Sequence, residues 1–268
     1  MPDIALDYEA QGVLPRVAYD NFIGSSRQVT LVGSSEDATD GPDDAAASWS
    51  LSSRWRTTAG SGTHTLDLQL SDATVAATAW GLAGHNLGDV GATVHLERYD
   101  GGGWVQVGEA YMPADASVIY DVFDAVADDR WRLVFSGASD DIEVGLAFIG
   151  PDLELQRGAR PGWTDPRLGQ RAETVQEVSR SQVWLGSTVL SRYADLSLSL
   201  RNLRQAWARD HWMPFRQRCE AQPFLLHWHR VDWPTSAAYC SAAEFGNPSF
   251  GSVGFVDAQV SFRGEVEP

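Results

Sequence analysis

The sequence predicts a mainly β protein built of two β-sandwich modules, an N-terminal jelly roll and a C-terminal sandwich flanked by one helix. Three observations carry this. Short segments alternate apolar and polar residues at every second position, clusters of Gly, Asp, Asn and Pro separate them, and a single stretch late in the chain has helical spacing.

Residues 65–70 read Thr-Leu-Asp-Leu-Gln-Leu, the period of a half-buried strand. Segments 27–32, 74–82, 92–99, 104–109, 117–121, 130–135 and 143–149 share that character. Turn chemistry lies between them at Asp40-Gly41-Pro42, Gly60-Ser61-Gly62, 88–91, 100–103 and 136–141. Eight strands at this spacing fill residues 20–150 as a sandwich or jelly roll, with residues 1–19 as an N-terminal extension. Residues 151–172 are rich in Gly and Pro and read as a linker or extended connection.

A second module then occupies residues 173–268. Two long strands, 173–184 and 187–200, are expected around a turn at Leu185-Gly186. Leu203, Trp207, Trp212, Phe215 and Cys219 recur at near-helical spacing, so a helix is expected over about 204–221, kinked at Pro214. Strands resume at 224–229, 237–242 and 253–263.

The chain of 268 residues carries a formal charge of −16. That charge is unevenly spread: residues 1–150 hold 23 acidic residues against 7 arginines, and residues 151–268 hold 13 against 13. Clustered cations that would grip a phosphate backbone are missing, so direct nucleic-acid binding is not expected. All twenty basic residues are arginine, which excludes Schiff-base and P-loop lysine chemistry. The N-terminus lacks the basic and apolar regions of a signal peptide, and no apolar run is long enough to span a bilayer. Neither export nor membrane insertion is expected. Two cysteines, Cys219 and Cys240, read as reduced thiols.

No cofactor or metal is expected. The carboxylates Glu36, Asp37, Asp40, Asp43 and Asp44 lack the order of a calcium loop, and His227-x-His229 has no further ligand at a recognised spacing. Nucleophile-elbow, zincin, phosphate-loop and dinucleotide motifs are missing too, so catalysis is not expected. Candidate glycan contacts are Trp55, Trp80 and Trp104, whose indole faces suit sugar rings, with His85 and Asn86 on the turn Gly84-His85-Asn86-Leu87. His85 and Asn86 serve equally well as turn-capping groups. Candidate subunit contacts are Trp163, Arg180, Arg192, Arg201 and Arg204, because arginine suits planar contacts between subunits.

Two resemblances follow from particular residues. Asp20-Asn21-Phe22, Trp55-Arg56, Leu66-Asp67-Leu68, and Gly84 through Val94 make the first module resemble the discoidin-like, galactose-binding-like domain of tailed-bacteriophage tail proteins. Phe148-Ile149-Gly150, Arg160-Pro161-Gly162-Trp163, residues 196–200, Pro223 to Leu226, Tyr239-Cys240 and residues 258–264 make the rest similar to distal tail or minor tail-tip proteins. The resemblance implies a tail-tube-like fold and a homo-oligomeric ring, a hexamer with a trimer as the alternative. It further implies a structural role in the virion, made in the bacterial host cytoplasm. The implied partners are the tail tube, tape-measure and hub or baseplate proteins, and host surface polysaccharide at the peripheral module. The alternative is an adhesion protein of the carbohydrate-binding-module type, and after it a glycan hydrolase.

Overall fold

The computed structural model describes residues 14–58, 62–159, 163–178, 180–181, 184–230, 233 and 235–265. Most of the expected N-terminal extension, the turn at Gly60-Ser61 and the motif Arg160-Pro161-Gly162 lie outside them. The chain enters as β1 (Arg16–Ala18) and continues through β2 (Gln28–Gly33), β3 (Trp55–Arg56), β4 (Thr63–Leu70), β5 (Ala77–His85), β6 (Thr93–Tyr99), β7 (Trp104–Tyr111), β8 (Ile119–Val126), β9 (Arg130–Ser136) and β10 (Glu143–Gly150). It goes on as β11 (Asp152–Glu154), β12 (Arg171–Val178), β13 (Trp184–Arg204), β14 (Phe224–His227), β15 (Ala237–Phe245), β16 (Ser249–Ser252) and β17 (Phe255–Glu265).

Two antiparallel sheets form a sandwich, one in the order β2-β4-β9-β6-β7 and the other β3-β10-β5-β8. The alternation in β4 decides which face is inside: His64, Leu66, Leu68 and Leu70 are buried, while Thr63 and Gln69 are exposed. These leucines meet Trp131, Leu133 and Phe135 of the same sheet and Trp55, Trp80, Leu82 and Ile149 of the facing one.

The seven strands after residue 150 join β1 in an eight-stranded antiparallel sheet in the order β11-β1-β14-β15-β17-β13-β12, with β16 added on β17. Two of its strands, β1 and β11, come from stretches expected to be an extension and a linker. Arg16–Ala18 pairs with β11 on one side and with Phe224–His227 on the other. The sandwich is therefore an excursion from this sheet: the chain leaves it after β1 and rejoins it at β11. Three-residue strands carry too little period to be read from sequence.

One face of the eight-stranded sheet buries Leu196, Leu198, Leu200, Phe224, Leu226 and Phe262 against Trp212, Phe215 and Cys219 of the helix. The expected helix runs as Gln205–Trp207, a π-helical turn Ala208–Trp212, and Met213–Cys219. Pro214 lacks the N–H that an α-helical register would use, and the wider π turn stands directly before it.

The other face packs on the outside of the four-stranded sheet, where Ala79, Ala83, Tyr120, Leu146 and Phe148 meet Ala18, Leu225, Ala237 and Tyr239. Small residues bring the layers together. A Cβ at Gly81 would stand 2.6 Å from Ile119 O and 2.6 Å from Leu225 Cδ1. With both faces covered, β5 and β10 are buried almost throughout.

A further difference concerns the hairpin of β12 and β13. Its turn falls between Val178 and Trp184, so Leu185-Gly186 lies inside a 21-residue strand instead of turning it. The polar Arg180-Ser181 suits a turn better than the apolar Trp184-Leu185. Pairing of β13 with β17 begins only at Ala194, so β12 and residues 184–193 project as a two-stranded arm.

Candidate functional site

The open side of the sandwich, where β7 and β8 are edge strands of facing sheets, holds a cleft of about 430 Å³. A bulge shapes it. Val94 pairs with Tyr111 and Leu96 with Val107, so β7 carries two extra residues between those pairs. Gly108 sits there at φ 72°, a left-handed conformation that favours glycine. The bulge turns Glu109, Ala110 and Tyr111 toward β8, and all three line the cleft with Trp80, Tyr120 and Asp121. The last wall comes from the other sheet, as His227 ends β14 and Arg230 follows it.

The floor is apolar and aromatic, with polar atoms at defined points. Tyr120 and His227 meet with ring centroids 5.7 Å apart and their planes tilted by 47°. Trp80 and Tyr120 are 1% and 5% exposed, and Trp80 Nε1 and Tyr120 Oη meet no hydrogen-bond partner among the described residues. Buried donors of this kind are costly unless something accepts from them. At the rim, Tyr111 is 37% exposed and Arg230 lies 3.3 Å from the Asp121 carboxylate. Burial pushes the Tyr120 phenol well above its ordinary pKa and the His227 imidazole down to about 4. Both are neutral at pH 7. His227 Nε2 donates to Trp233 O at 3.2 Å.

The sequence-predicted contacts scatter. Trp80 lies in the cleft, but as its floor. Trp55 is wholly buried and its Nε1 donates to Ser35 O at 3.1 Å, so it has no face for a sugar. His85 is buried: Nε2 donates to Ser117 O at 2.9 Å and Nδ1 accepts from Leu87 N at 3.4 Å. Asn86 Nδ2 donates to Asp141 O and its Oδ1 accepts from Glu143 N, tying the turn to the start of β10. His85 thus bonds backbone of its own turn, whereas Asn86 makes no cap bond there and holds the turn to a distant segment. Trp104 is half-buried on the outer face of the five-stranded sheet, edge-on to Tyr99 and under Arg132, whose guanidinium is 4.3 Å from the indole centroid.

Of the expected subunit contacts, Trp163 packs within the chain, 5.7 Å from Trp228 and 6.4 Å from Phe262 between ring centroids. Arg180 and Arg192 are exposed on the arm. Arg201 faces Asp257 at 3.6 Å, and Arg204 is exposed at the end of β13. Among the described residues no group of three or more His, Cys, Asp or Glu is placed to hold a metal ion, and no helix is long and apolar enough to cross a membrane.

Sequence reasoning missed Tyr111, Tyr120, Asp121 and Arg230. One signal was present: Gly108 interrupts an alternating strand, as a bulge does.

No family model matches the chain, and no curated protein does. Solved structures with a similar chain path include the family 32 carbohydrate-binding module of Clostridium perfringens NanJ in complex with galactose. That match has a TM-score of 0.41 and 14% identity, covering 50% of this chain and 98% of that one. Chitosan-binding module 1 of a chitosanase/glucanase from Paenibacillus sp. IK-5 matches at 0.39 and 15% identity, covering 49% and 98%. A Ruminococcus gnavus GH29 fucosidase in complex with fucose matches at 0.43 and 11% identity, covering 50% of this chain and 27% of the enzyme.

Proposed function

We propose that the chain is a non-catalytic recognition protein that holds a carbohydrate in the cleft between β7, β8 and the end of β14. One observation carries this reading: a cleft of about 430 Å³ combines an exposed tyrosine ring with a charged rim. Sugars present C–H faces that pack on aromatic rings and hydroxyls that exchange hydrogen bonds with fixed polar groups. Tyr111 supplies the exposed ring. Glu109, Asp121 and Arg230 supply charged hydrogen-bonding groups at the rim.

Calorimetric titration of the full chain with defined oligosaccharides tests this. Tyr111→Ala and Arg230→Ala are each expected to weaken binding at least tenfold while leaving the circular dichroism spectrum unchanged. Failure of every sugar to bind, or equal affinity in both variants, rejects the cleft as the site. Sugar turnover would move the protein to the hydrolase reading.

A second reading is favoured by the projecting arm. A two-stranded ribbon with apolar residues in solvent is a template for association. This supports a self-assembling component, and its finer form is a virion ring at a phage tail tip that joins the tail tube to baseplate or fibres. Electron microscopy of the purified chain or of tails should show rings; a protein monomeric at all concentrations counts against it. Both readings can hold together, with recognition on the sandwich and assembly through the other sheet.

A further inference from the structure

The arm displays Val175, Trp184, Leu185, Val189 and Leu190 at 46–62% exposure. At about 3.3 Å per residue, residues 184–193 reach roughly 30 Å beyond the last pairing with β17. The outer edge of the arm, β12, pairs with β13 alone. Its charged groups are Arg171, Glu173, Glu177, Arg180 and Arg192, a net of +1. Arg171 faces Asp195 at 3.4 Å and Glu173 accepts from Ser191, whereas Arg180 and Arg192 have no ion-pair partner among the described residues.

A matching surface lies on the sandwich. The edge strand β2 pairs with β4 alone and exposes Val29 and Val32 at 56% and 53%. The acidic loop follows it directly, and within that loop Asp40 and Asp44 are exposed without an ion-pair partner among the described residues. Edge strand, apolar side chains and charge are therefore complementary: the arm is basic by one unit, and residues 20–150 hold 20 acidic residues against 6 arginines. Within one chain the two surfaces do not meet, since Val29, Val32, Trp184 and Leu190 are all exposed.

We propose that the arm of one copy docks on the β2 edge and acidic loop of a second copy, with Trp184 and Leu190 against Val29 and Val32, and Arg180 and Arg192 facing Asp40 and Asp44. The contact joins different patches of the two copies, so it is heterologous: it closes into a ring or runs on as a filament. It also gives the acidic loop a role beyond solvation. The proposal rests on the self-assembly reading and specifies its partner surface.

Sedimentation of the full chain at low and high salt provides the test. Wild type is expected to associate at low salt and to dissociate at least tenfold more readily at 0.5 M salt. The charge reversal Arg180→Glu with Arg192→Glu should leave a folded monomer, as should Asp40→Arg with Asp44→Arg. An equimolar mixture of the two variants should form hetero-assemblies, which neither forms alone. Trp184→Ser should weaken association without moving the melting temperature. Assemblies indifferent to both reversals, or a mixture that stays monomeric, overturn the proposed docking while the self-assembly reading stands. A wild-type chain monomeric throughout overturns both.

Discussion

At the scale of single residues, the buried histidines give the protein a defined response to acid. His85 and His227 are both held neutral, and burial pushes each pKa from 6.5 down to about 4. Protonating His85 would also set a new N–H at Nδ1 against the Leu87 N–H that it accepts. Below pH 6.5 the unfolded chain takes up protons that the folded chain refuses, so stability rises with pH across this window. The contribution is fully present above pH 6.5 and is lost as pH falls toward 4, by on the order of 3 kcal/mol per imidazole. Urea midpoints at pH 7.0 and 4.5 check this: His227→Gln should show a smaller drop than wild type. Gly108 makes a second prediction at this scale. Ala at φ 72° costs about 1–2 kcal/mol, and Asn tolerates that region better. Gly108→Ala should therefore lower the melting temperature and Gly108→Asn should lower it less.

At the scale of elements, the contact between sandwich and eight-stranded sheet depends on small side chains in β5. Gly81→Ala would drive a methyl to 2.6 Å from a backbone carbonyl, an approach that backbone must move to relieve. A loss of about 1–3 kcal/mol, typical of overpacking, is expected in denaturant unfolding. Phe148→Ala opens a cavity on the same face and should cost about 3–5 kcal/mol. Eight of the nine sandwich strands were visible because each alternates or is apolar over five or more residues. The strands β1, β3 and β11 were invisible because two or three residues carry no period. The hairpin turn was misplaced because Gly186 resembles a turn residue in isolation, yet in the strand it meets open space and pairs with Glu177. As for the site, Trp80 was nominated for its indole face and found as a buried floor. Tyr111, Asp121 and Arg230 were missed because they are brought together across 119 residues of chain.

At the scale of the whole molecule, the sandwich and the eight-stranded sheet share a buried face, a strand connection and several polar ties. Tyr239 Oη donates to Trp49 O, Arg218 faces Asp20 at 3.3 Å, and Arg230 faces Asp121. Heat unfolding of the full chain is accordingly expected as a single calorimetric transition, with calorimetric and van't Hoff enthalpies in agreement. Residues 20–150 alone would present Ala79, Ala83, Leu146 and Phe148 to water and should aggregate, so binding belongs to the full chain. Two separate transitions would refute this coupling.

The sequence by itself determined the β class, most of the sandwich strands, the helix after β13 and the concentration of negative charge, because each is written in local periodicity or in plain composition. Tertiary structure alone decided that the sandwich is an excursion from the other sheet, that the arm stands clear of it, and that a cleft opens where the two meet. The excursion and the cleft arise from contacts between residues more than a hundred positions apart, and the arm from where β13 stops pairing with β17. No local pattern encodes such a contact, since the energy that selects it is released only when both faces are already formed.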